Sequence, residues 1–376
     1  MTTRSSFSRH FPEDDMTDRL LVATRKGLFT VVRKGGTWAV AGAPAFAGEP
    51  VSAILPDGRD GTLYAALNLG HFGVKLHRSE DGGQTWTELP APAFAAAPEG
   101  GEGPSVSLIW TLAAGGADQP GTLWAGTLPG GLFHSADRGS TWSLNQSLWD
   151  VPERREWFGG GYDEPGIHSI LVDPRDSARL TIGVSCGGVW TSGDRGASWA
   201  LGGHGLRNEY LPPEMSDQRS TQDVHRLAAC TAAPDRVWCQ HHNGIFRSDD
   251  GGTNWTEVTA NAKPAAFGFA VAAHPADPDT AWFVPAVKDE CRIPVDGRFV
   301  VSRTDDGGES FEVLSDGLPQ DAAYDLVYRH ALDIDASGER LAMGSTTGAL
   351  WVSDTGGERW SLISAHLPPV AQVAFG

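Results

Sequence analysis

SEDGGQTW at residues 79–86 is the stretch that decides the fold, because its pattern returns along the whole chain. The pattern reads Ser-x-Asp-x-Gly-x-Thr-Trp with variations, and its further copies are SADRGSTW (135–142), SGDRGASW (192–199), SDDGGTNW (248–255), TDDGGESF (304–311) and SDTGGERW (353–360). A decayed copy, VVRKGGTW at 31–38, keeps Gly35, Thr37 and Trp38. Recurrence at ~55 residues predicts one repeat architecture rather than several unrelated domains.

Each copy has the composition of a tight turn between two β-strands. Its Asp can accept backbone N–H bonds within the turn, its Gly supplies a positive φ, and its Ser or Thr hydroxyl bonds locally. The closing aromatic residue enters the next strand, where we expect it to pack between sheets. In the unit over 222–260, the pair Asn243-Gly244 between β-rich runs indicates a second hairpin, so each unit is predicted to contain four strands.

Four-stranded units in radial repetition are typical of a β-propeller, and we predict an all-β propeller of seven blades. The segment 368–376 has the pattern of an innermost strand, which the first unit lacks. We expect this segment to join blade one and so remove both open sheet edges. Residues 18–376 then form one domain after a polar, disordered tail over 1–17, with blades predicted at 18–45 plus 368–376, 46–92, 104–148, 166–203, 222–260, 266–316 and 322–365.

The six well-preserved copies resemble the Asp-box (BNR) repeat of sialidases, sortilin-type receptors, xyloglucan-cleaving hydrolases and photosystem II assembly factors. The resemblance covers residues 20–376 and implies the propeller fold, with structural rather than catalytic boxes. Those families share the box and differ in their chemistry, so function has to be argued from the site. Thr355 replaces the Asp in blade seven, and Val31 and Arg33 replace the Ser and Asp in blade one, which predicts looser hairpins there.

Composition excludes several classes of function. The formal net charge of −18 repels phosphate backbones and argues against nucleic-acid binding. No apolar run reaches the roughly 18 residues of a membrane-spanning helix, and the polar N-terminus lacks the apolar centre of a secretory signal. The four cysteines show neither a CxxC pair nor zinc spacing. These features predict a cytoplasmic protein with reduced thiols and no membrane partner.

Three long insertions indicate where a site is expected. They are the crossing 143–168 into blade four, the crossing 201–225 into blade five and the blade-six loop 284–298. In a propeller the box turns occupy one face, and these segments belong to the other face around the channel mouth. Long insertions carry function more often than short turns do. We expect a small-molecule or carbohydrate ligand at this mouth, and a protein partner is compatible with the same surface.

Several histidines are predicted to converge on the mouth. Aligned innermost strands place His168 and His225 at one equivalent position, with Tyr324 at the comparable position of blade seven. His241 and His242 are consecutive in a strand, so only one is expected to face the mouth. Imidazoles suit transition metals, so a metal ion held by His168, His225 and His242 is one hypothesis, and purely structural histidines are the other. The candidate ligand-binding residues are His71, His168, His225, His241, His242, Arg226 and Trp157.

A second hypothesis is glycoside hydrolysis. Arg292-Ile293-Pro294 resembles the Arg-Ile-Pro signature of sialidases, in which the Arg grips the sugar carboxylate through its bidentate fork. The resemblance departs in three ways: this copy lies in blade six rather than ahead of the boxes, sialidases have six blades, and the sequence does not place their Tyr–Glu nucleophile pair, for which Tyr324 with Glu290 or Asp325 is the candidate here. The candidate catalytic residues are Glu290, Arg292, Tyr324, Asp325, Asp163 and Glu164.

Three functions therefore stay open at the level of sequence. The first is binding of a small molecule or glycan at the channel mouth. The second is glycoside hydrolysis by paired carboxylates, sialidase-like or of another specificity. The third is a metal-dependent reaction at the histidines. A transition metal bound in stoichiometric amount would favour the third function.

Overall fold

The computed structural model describes residues 18–96, 101 and 103–376, and this part of the chain forms seven four-stranded antiparallel sheets. The sheets confirm the predicted all-β propeller of seven blades. The tail predicted over 1–17 lies outside the described residues. None of the described helices has the length and apolar character needed to cross a bilayer.

From the channel outward, blade one contains β28 (Val370–Phe375), β1 (Arg19–Thr24), β2 (Gly27–Lys34) and β3 (Thr37–Ala45), and blade two contains β4 (Val51–Asp57), β5 (Thr62–Asn68), β6 (Val74–Ser79) and β7 (Thr87–Leu89). Blade three contains β8 (Leu108–Ala114), β9 (Leu123–Leu128), β10 (Leu132–Ser135) and β11 (Ser143–Leu144). Blade four contains β12 (Ile167–Val172), β13 (Leu180–Val184), β14 (Gly188–Ser192) and β15 (Ala200–Leu201).

The strands of blades five to seven are β16 (Val224–Cys230), β17 (Ala233–His241), β18 (Gly244–Ser248) and β19 (Thr256–Glu257); β20 (Gly268–Ala273), β21 (Ala281–Pro285), β22 (Val301–Thr304) and β23 (Glu312–Leu314); β24 (Leu332–Ile334), β25 (Leu341–Gly344), β26 (Leu350–Ser353) and β27 (Ser361–Ser364). The helical segments are α1 (Gln146–Trp149) and the 3-10 turns Gly70–Phe72, Pro152–Glu156, Pro213–Met215, Arg219–Thr221, Thr259–Asn261 and Val295–Gly297.

The C-terminal strand closes the ring as predicted. β28 pairs antiparallel with β1, with Phe375 opposite Leu20 and Val373 opposite Val22. Val370 and Val373 are 3% and 2% exposed and belong to a core cluster that reaches blades six and seven. Because β28 pairs with the first strand of the chain, the innermost edge of blade one is covered.

The boxes are closed hydrogen-bonded turns. In blade two, the Ser79 hydroxyl donates to Asp81 Oδ1 (2.8 Å) and accepts from the Gly83 N–H (2.7 Å). Asp81 also accepts from the backbone and hydroxyl of Thr85 (2.9 and 2.6 Å), and these bonds lower the pKa of its carboxyl to about 2. In blade seven, Thr355 keeps a single backbone bond of this kind, from the N–H of Arg359 (3.0 Å).

The core lies between neighbouring blades, and the box aromatics help to build it. Trp255 packs in one cluster with Val189 of blade four and Phe246 of blade five, and Phe311 packs with residues of blades five and six. The Trp38 indole donates to Asp354 Oδ1 of blade seven (3.1 Å). The aromatics therefore pack between sheets, as the sequence predicts.

Six of the seven innermost strands carry a β-bulge near the channel mouth. At each bulge the ladder register shifts, so that one residue, or two in blade six, has no pairing partner. The bulge residues are Ser52, Trp110, His168, His225, Phe269 with Ala270, and Ala371. In blade seven, β24 begins at Leu332, so the predicted equivalence of Tyr324 with His168 is wrong: Tyr324 lies in the connection before the strand and is 64% exposed.

Three bulge side chains tie their blade to the next one. Each donates to the carbonyl oxygen of the residue that precedes the next bulge, through Ser52 Oγ to Ile109 O (3.0 Å), His168 Nε2 to Val224 O (2.7 Å) and His225 Nδ1 to Gly268 O (2.6 Å). The innermost strands are thus joined around the channel by side chains as well as by packing.

Candidate functional site

The channel mouth on the face opposite the box turns holds two adjoining cavities. The large lobe, about 630 Å³, lies over blades one, two, three and seven and includes Arg25, Trp110, Tyr162 and Tyr328. The small lobe, about 180 Å³, lies over blades four to six and includes Tyr210, Asp223, His225, His242 and Phe269. Gly161, Arg292 and Arg329 line both lobes.

All three long insertions contribute to the walls of the small lobe. The crossing into blade four supplies 158–161, the crossing into blade five supplies Tyr210 and Asp223, and the blade-six loop supplies Asp289 and Arg292. The glycine run 159–161 allows a close approach, since a Cβ on Gly160 would stand 2.7 Å from Ser185 Oγ. The three insertions therefore meet at the channel mouth, on the face where the sequence predicts them.

The large lobe is cationic although the protein is strongly acidic. Arg25, Arg292 and Arg329 line it, and no Asp or Glu occurs among its described lining residues. Positive charge in a concave, partly apolar site concentrates anions there. The lobe is therefore suited to a ligand that carries negative charge.

Arg329 is a buried cation at the channel mouth, which is an unusual place for a guanidinium. Its side chain is 6% exposed, and its guanidinium carbon lies 5.0 Å from the ring centroid of Trp110 and 5.3 Å from that of Phe269. Among the described residues, its guanidinium has no hydrogen-bond acceptor and no ion-pair partner, and its Nε is fully enclosed. Burial lowers the pKa of Arg329. A buried guanidinium normally requires a hydrogen-bonded anion, whereas the Asp223 carboxylate acts on Arg329 through its charge alone, so a bound anion would complete the arrangement.

Arg292 is held differently. Its guanidinium donates to Asp289 Oδ1 from Nε (3.0 Å) and Nη2 (2.6 Å) and lies 5.2 Å from the ring centroid of Phe269. It is partly exposed and lines both lobes. The Arg of the Arg-Ile-Pro motif thus reaches the mouth, with one carboxylate already bound.

Asp223 is the centre of the small lobe. Its Oδ2 lies 3.4 Å from His225 Nε2 and 3.2 Å from His242 Nδ1, while its Oδ1 accepts from the Ser185 hydroxyl (3.2 Å) and the Cys186 N–H (3.3 Å). Burial raises the pKa of Asp223, but His225, His242 and Arg329 outweigh it and hold the pKa well below the ordinary value. Both carboxylate oxygens of Asp223 are therefore held in place, Oδ1 by two hydrogen-bond donors and Oδ2 beside the two imidazoles.

The two histidines of this cluster are held by aromatic rings. His225 is stacked on Phe269 with 4.4 Å between ring centroids, and burial lowers its pKa. His242 contacts the rings of Tyr210 and Phe267 edge-on, at 5.1 and 5.8 Å. Because the rings are fixed, the nitrogens facing Asp223 are fixed as well.

His168 does not join this cluster, which corrects the predicted trio of His168, His225 and His242. Its Nε2 donates to Val224 O (2.7 Å), so its Nδ1 accepts from the Ser169 hydroxyl (3.0 Å). The side chain is fully buried. Both ring nitrogens are occupied inside the sheets, so His168 has no free lone pair for a ligand or a metal.

His241 and His242 diverge as the period of a strand requires. His241 is fully buried, accepts the Asn243 N–H at Nδ1 (3.1 Å) and packs on Phe246, so it does not face the mouth. Trp157 is also a core residue, packed on Trp190 at 5.9 Å. Arg226 donates to the His168 carbonyl (3.3 Å) and lines neither lobe.

The remaining candidates lie outside both lobes. His71 belongs to the 3-10 turn of blade two and packs on Phe72. Asp325 accepts hydrogen bonds from the hydroxyls of Ser345 (2.8 Å) and Thr347. Four further candidate residues are exposed, namely Glu290, Tyr324, Asp163 and Glu164.

Sequence reasoning missed Asp223, whereas Arg329 is one of the charged residues that the sequence predicts on this face. Asp223 precedes His225 by two residues, so an Asp-x-His sequence beside the start of an innermost strand was a readable signal of two polar groups near the mouth. The sequence gives no signal for the burial of Arg329, because that burial depends on Trp110 and Phe269, which belong to two other blades.

No protein-family model matches the chain. The chain is 25% identical over 374 residues to a probable oligoxyloglucan-reducing end-specific xyloglucanase of Neosartorya fischeri, covering 91% of this chain and 41% of that protein. It is 27% identical over 213 residues to a sialidase of Bacteroides fragilis, covering 46% and 38% respectively. The chain thus spans about two-fifths of the length of these curated relatives.

Solved structures show the same fold at low identity. An ancestral GH74 enzyme superposes with a TM-score of 0.57 at 15% identity, covering 83% of this chain and 38% of that one. A protein from Lactobacillus plantarum gives 0.57 at 14%, covering 96% of this chain and 100% of that one. Together with the curated relatives, these structures confirm the resemblance to Asp-box propellers.

Proposed function

We propose that the protein is a glycoside hydrolase that acts on an acidic carbohydrate and binds the sugar carboxylate at Arg329. The observation that carries this proposal is the buried guanidinium of Arg329, which has no acceptor among the described residues. A carboxylate can accept two parallel hydrogen bonds from a guanidinium and neutralise it. The large lobe, with three arginines and no described acidic residue, supports a ligand of this charge.

The aromatic residues of the large lobe support a carbohydrate rather than a small inorganic anion. Trp110, Tyr162 and Tyr328 line the lobe, and the two tyrosines are 49% and 37% exposed. Aromatic faces present apolar area with a polar edge, which suits the C–H faces and hydroxyl groups of a sugar ring. A concave cavity of about 630 Å³ is large enough for such a ligand.

The relatives favour hydrolysis over binding alone. The xyloglucanase and the sialidase are named for cleaving glycans, and the sialidase is named for an acidic sugar. Hydrolysis requires a pair of carboxyl groups at the scissile bond. Asp163 and Glu164 line neither lobe, but they are exposed and directly follow Tyr162 of the large lobe in sequence, so we propose them as the first pair to test.

The binding half of this proposal is tested by calorimetry with sialylated and uronic-acid oligosaccharides against neutral xyloglucan oligosaccharides. Replacement of Arg329 by Met should weaken binding of the acidic ligand about 10- to 100-fold, since a charged hydrogen bond contributes about 1.5–3 kcal/mol. Because the variant removes a buried charge without a hydrogen-bonded partner, but also a charge that favours the Asp223 carboxylate, its melting temperature should change little. Arg298→Met, on an exposed side chain outside both lobes, is the matched control.

Equal affinity for neutral and acidic oligosaccharides would contradict the role of Arg329. The hydrolytic half is tested by chromatography of the released sugars. Asp163→Asn and Glu164→Gln should each lower the rate at least about a hundredfold if they form the acid and base pair. Binding without any cleavage product would overturn the hydrolase assignment and leave a carbohydrate-binding protein.

A further inference from the structure

We propose that Asp223, His225 and His242 bind a divalent transition-metal ion in the small lobe. One nitrogen of each histidine and one oxygen of the aspartate lie within 4.8 Å of one another. Asp223 Oδ2 is 3.4 Å from His225 Nε2 and 3.2 Å from His242 Nδ1. Two ligand atoms about 2.1 Å from one ion, at angles of roughly 90–110°, are about 3.0–3.4 Å apart, so the observed spacing is that of neighbouring ligands.

The position of one proton on His225 supports a metal ion. His225 Nδ1 lies 2.6 Å from the carbonyl oxygen of Gly268, which accepts only, so Nδ1 must carry the proton. In the neutral ring, Nε2 then carries a lone pair, and that lone pair faces a carboxylate oxygen. Two acceptors at this distance repel each other unless a proton on Nε2 or a metal ion lies between them, and nitrogen NMR of His225 distinguishes the two.

The outer contacts are those of a metal-binding histidine and carboxylate. An imidazole that donates its second N–H to a backbone carbonyl is oriented and made more basic, which is the usual arrangement behind a metal ligand. The other oxygen of Asp223 accepts from the Ser185 hydroxyl and the Cys186 N–H, which turns Oδ2 toward the imidazoles. The ligand atoms of both histidines and of the aspartate are therefore oriented before a metal ion binds.

The ligand set defines the class of metal. Two imidazoles and one carboxylate suit iron(II), cobalt(II), nickel(II) or zinc(II), whereas magnesium and calcium prefer oxygen ligands alone. Three protein ligands leave coordination positions for an exogenous ligand. Those positions belong to the small lobe, which Arg292 and Arg329 also line, so an anionic ligand could reach the metal and a guanidinium together.

The metal site does not depend on the carbohydrate proposal and is tested without a sugar. Purified full-length protein is stripped with a chelator and titrated with cobalt(II) and zinc(II), with binding followed by calorimetry, elemental analysis and the visible spectrum of cobalt. We expect one ion per chain and a cobalt spectrum with imidazole ligation. His242→Ala, at a partly exposed turn, should weaken binding by at least about a hundredfold, since loss of even an outer contact costs 10- to 100-fold.

His71→Ala, an exposed turn histidine outside both lobes, is the matched control and should bind as the wild type does. Asp223→Asn should also lose the ion, and circular dichroism of each variant separates loss of ligation from loss of fold. The proposal is overturned if the stripped wild type binds no stoichiometric ion and nitrogen NMR shows both nitrogens of His225 protonated. Binding by His242→Ala with wild-type affinity would also overturn it.

Discussion

Asp333 shows how a single residue of an innermost strand makes stability depend on pH. It lies on β24, its Oδ2 accepts the Phe375 N–H (2.9 Å), and burial raises the pKa of its carboxyl to about 6, with Arg226 opposing the shift. The native state therefore binds a proton more tightly than the unfolded chain does. Ionisation of this carboxyl lowers the free energy of unfolding as pH rises from about 4 to about 6, and the free energy of unfolding stays lowered above that range.

Asp333→Asn should remove this pH dependence, because the amide oxygen can still accept from Phe375 while the group no longer ionises. Relative to the wild type, the variant's free energy of unfolding should rise by about 1–2 kcal/mol between pH 4 and pH 7, less than the full shift because the side chain is only partly buried. Urea denaturation at the two pH values measures this. A difference between the proteins that is the same at both pH values would refute the assignment, and Asp316→Asn, on an exposed side chain, is the control.

At the scale of the element, the box hairpin explains which parts of the fold were readable in the sequence. Its bonds are local, within five residues in blade two, so residue order alone predicts them. The bulges were not readable, because a register shift depends on the neighbouring strand. The same limit explains Tyr324: alternating residues of an extended connection look like a strand until a pairing partner is known.

Blade seven offers a test of the box itself. The Thr355 hydroxyl accepts one backbone N–H, from Arg359, and contacts the Ser353 hydroxyl, whereas the aspartates of other boxes offer two charged oxygens to backbone and side-chain donors. Thr355→Asp should raise the free energy of unfolding by about 0.5–1.5 kcal/mol by adding a charged acceptor. The reciprocal Asp137→Thr in blade three, which loses the Thr141 hydroxyl bond (2.7 Å), should lower it by a similar amount. Denaturant unfolding of both variants decides the matter, and a less stable Thr355→Asp would refute the account.

At the scale of the whole molecule, the closure of the ring is predictable from the sequence, whereas the composition of the site is only partly so. The blade count and the closing strand follow from a repeat and from the strand that the first unit lacks, both visible in the sequence. The mouth assembles side chains that are remote in sequence, such as Trp110 and Arg329. Of the predicted site residues, His225, His242 and Arg292 reach the lobes, and their partners became evident only with the blades in place.

Deletion of residues 368–376 should open the ring. The truncated protein loses Val370 and Val373 from the core and exposes the β1 edge, so we expect aggregation or a large fall in melting temperature. A synthetic peptide of 368–376 added during refolding should restore the melting transition, whereas a peptide with aspartate in place of both valines should not. A soluble truncated protein that melts as the full chain does would disprove closure by this strand.

The bulges at the channel mouth have a consequence for the evolution of the protein as well as for its structure. Trp110, Phe269 and Ala371 line the lobes and have no ladder partner, so a substitution there that keeps the side-chain volume changes the lobes without changing the register of the strands. The boxes on the opposite face can meanwhile remain under purifying selection. Ligand specificity can then change one side chain at a time while the pairing of the strands is kept.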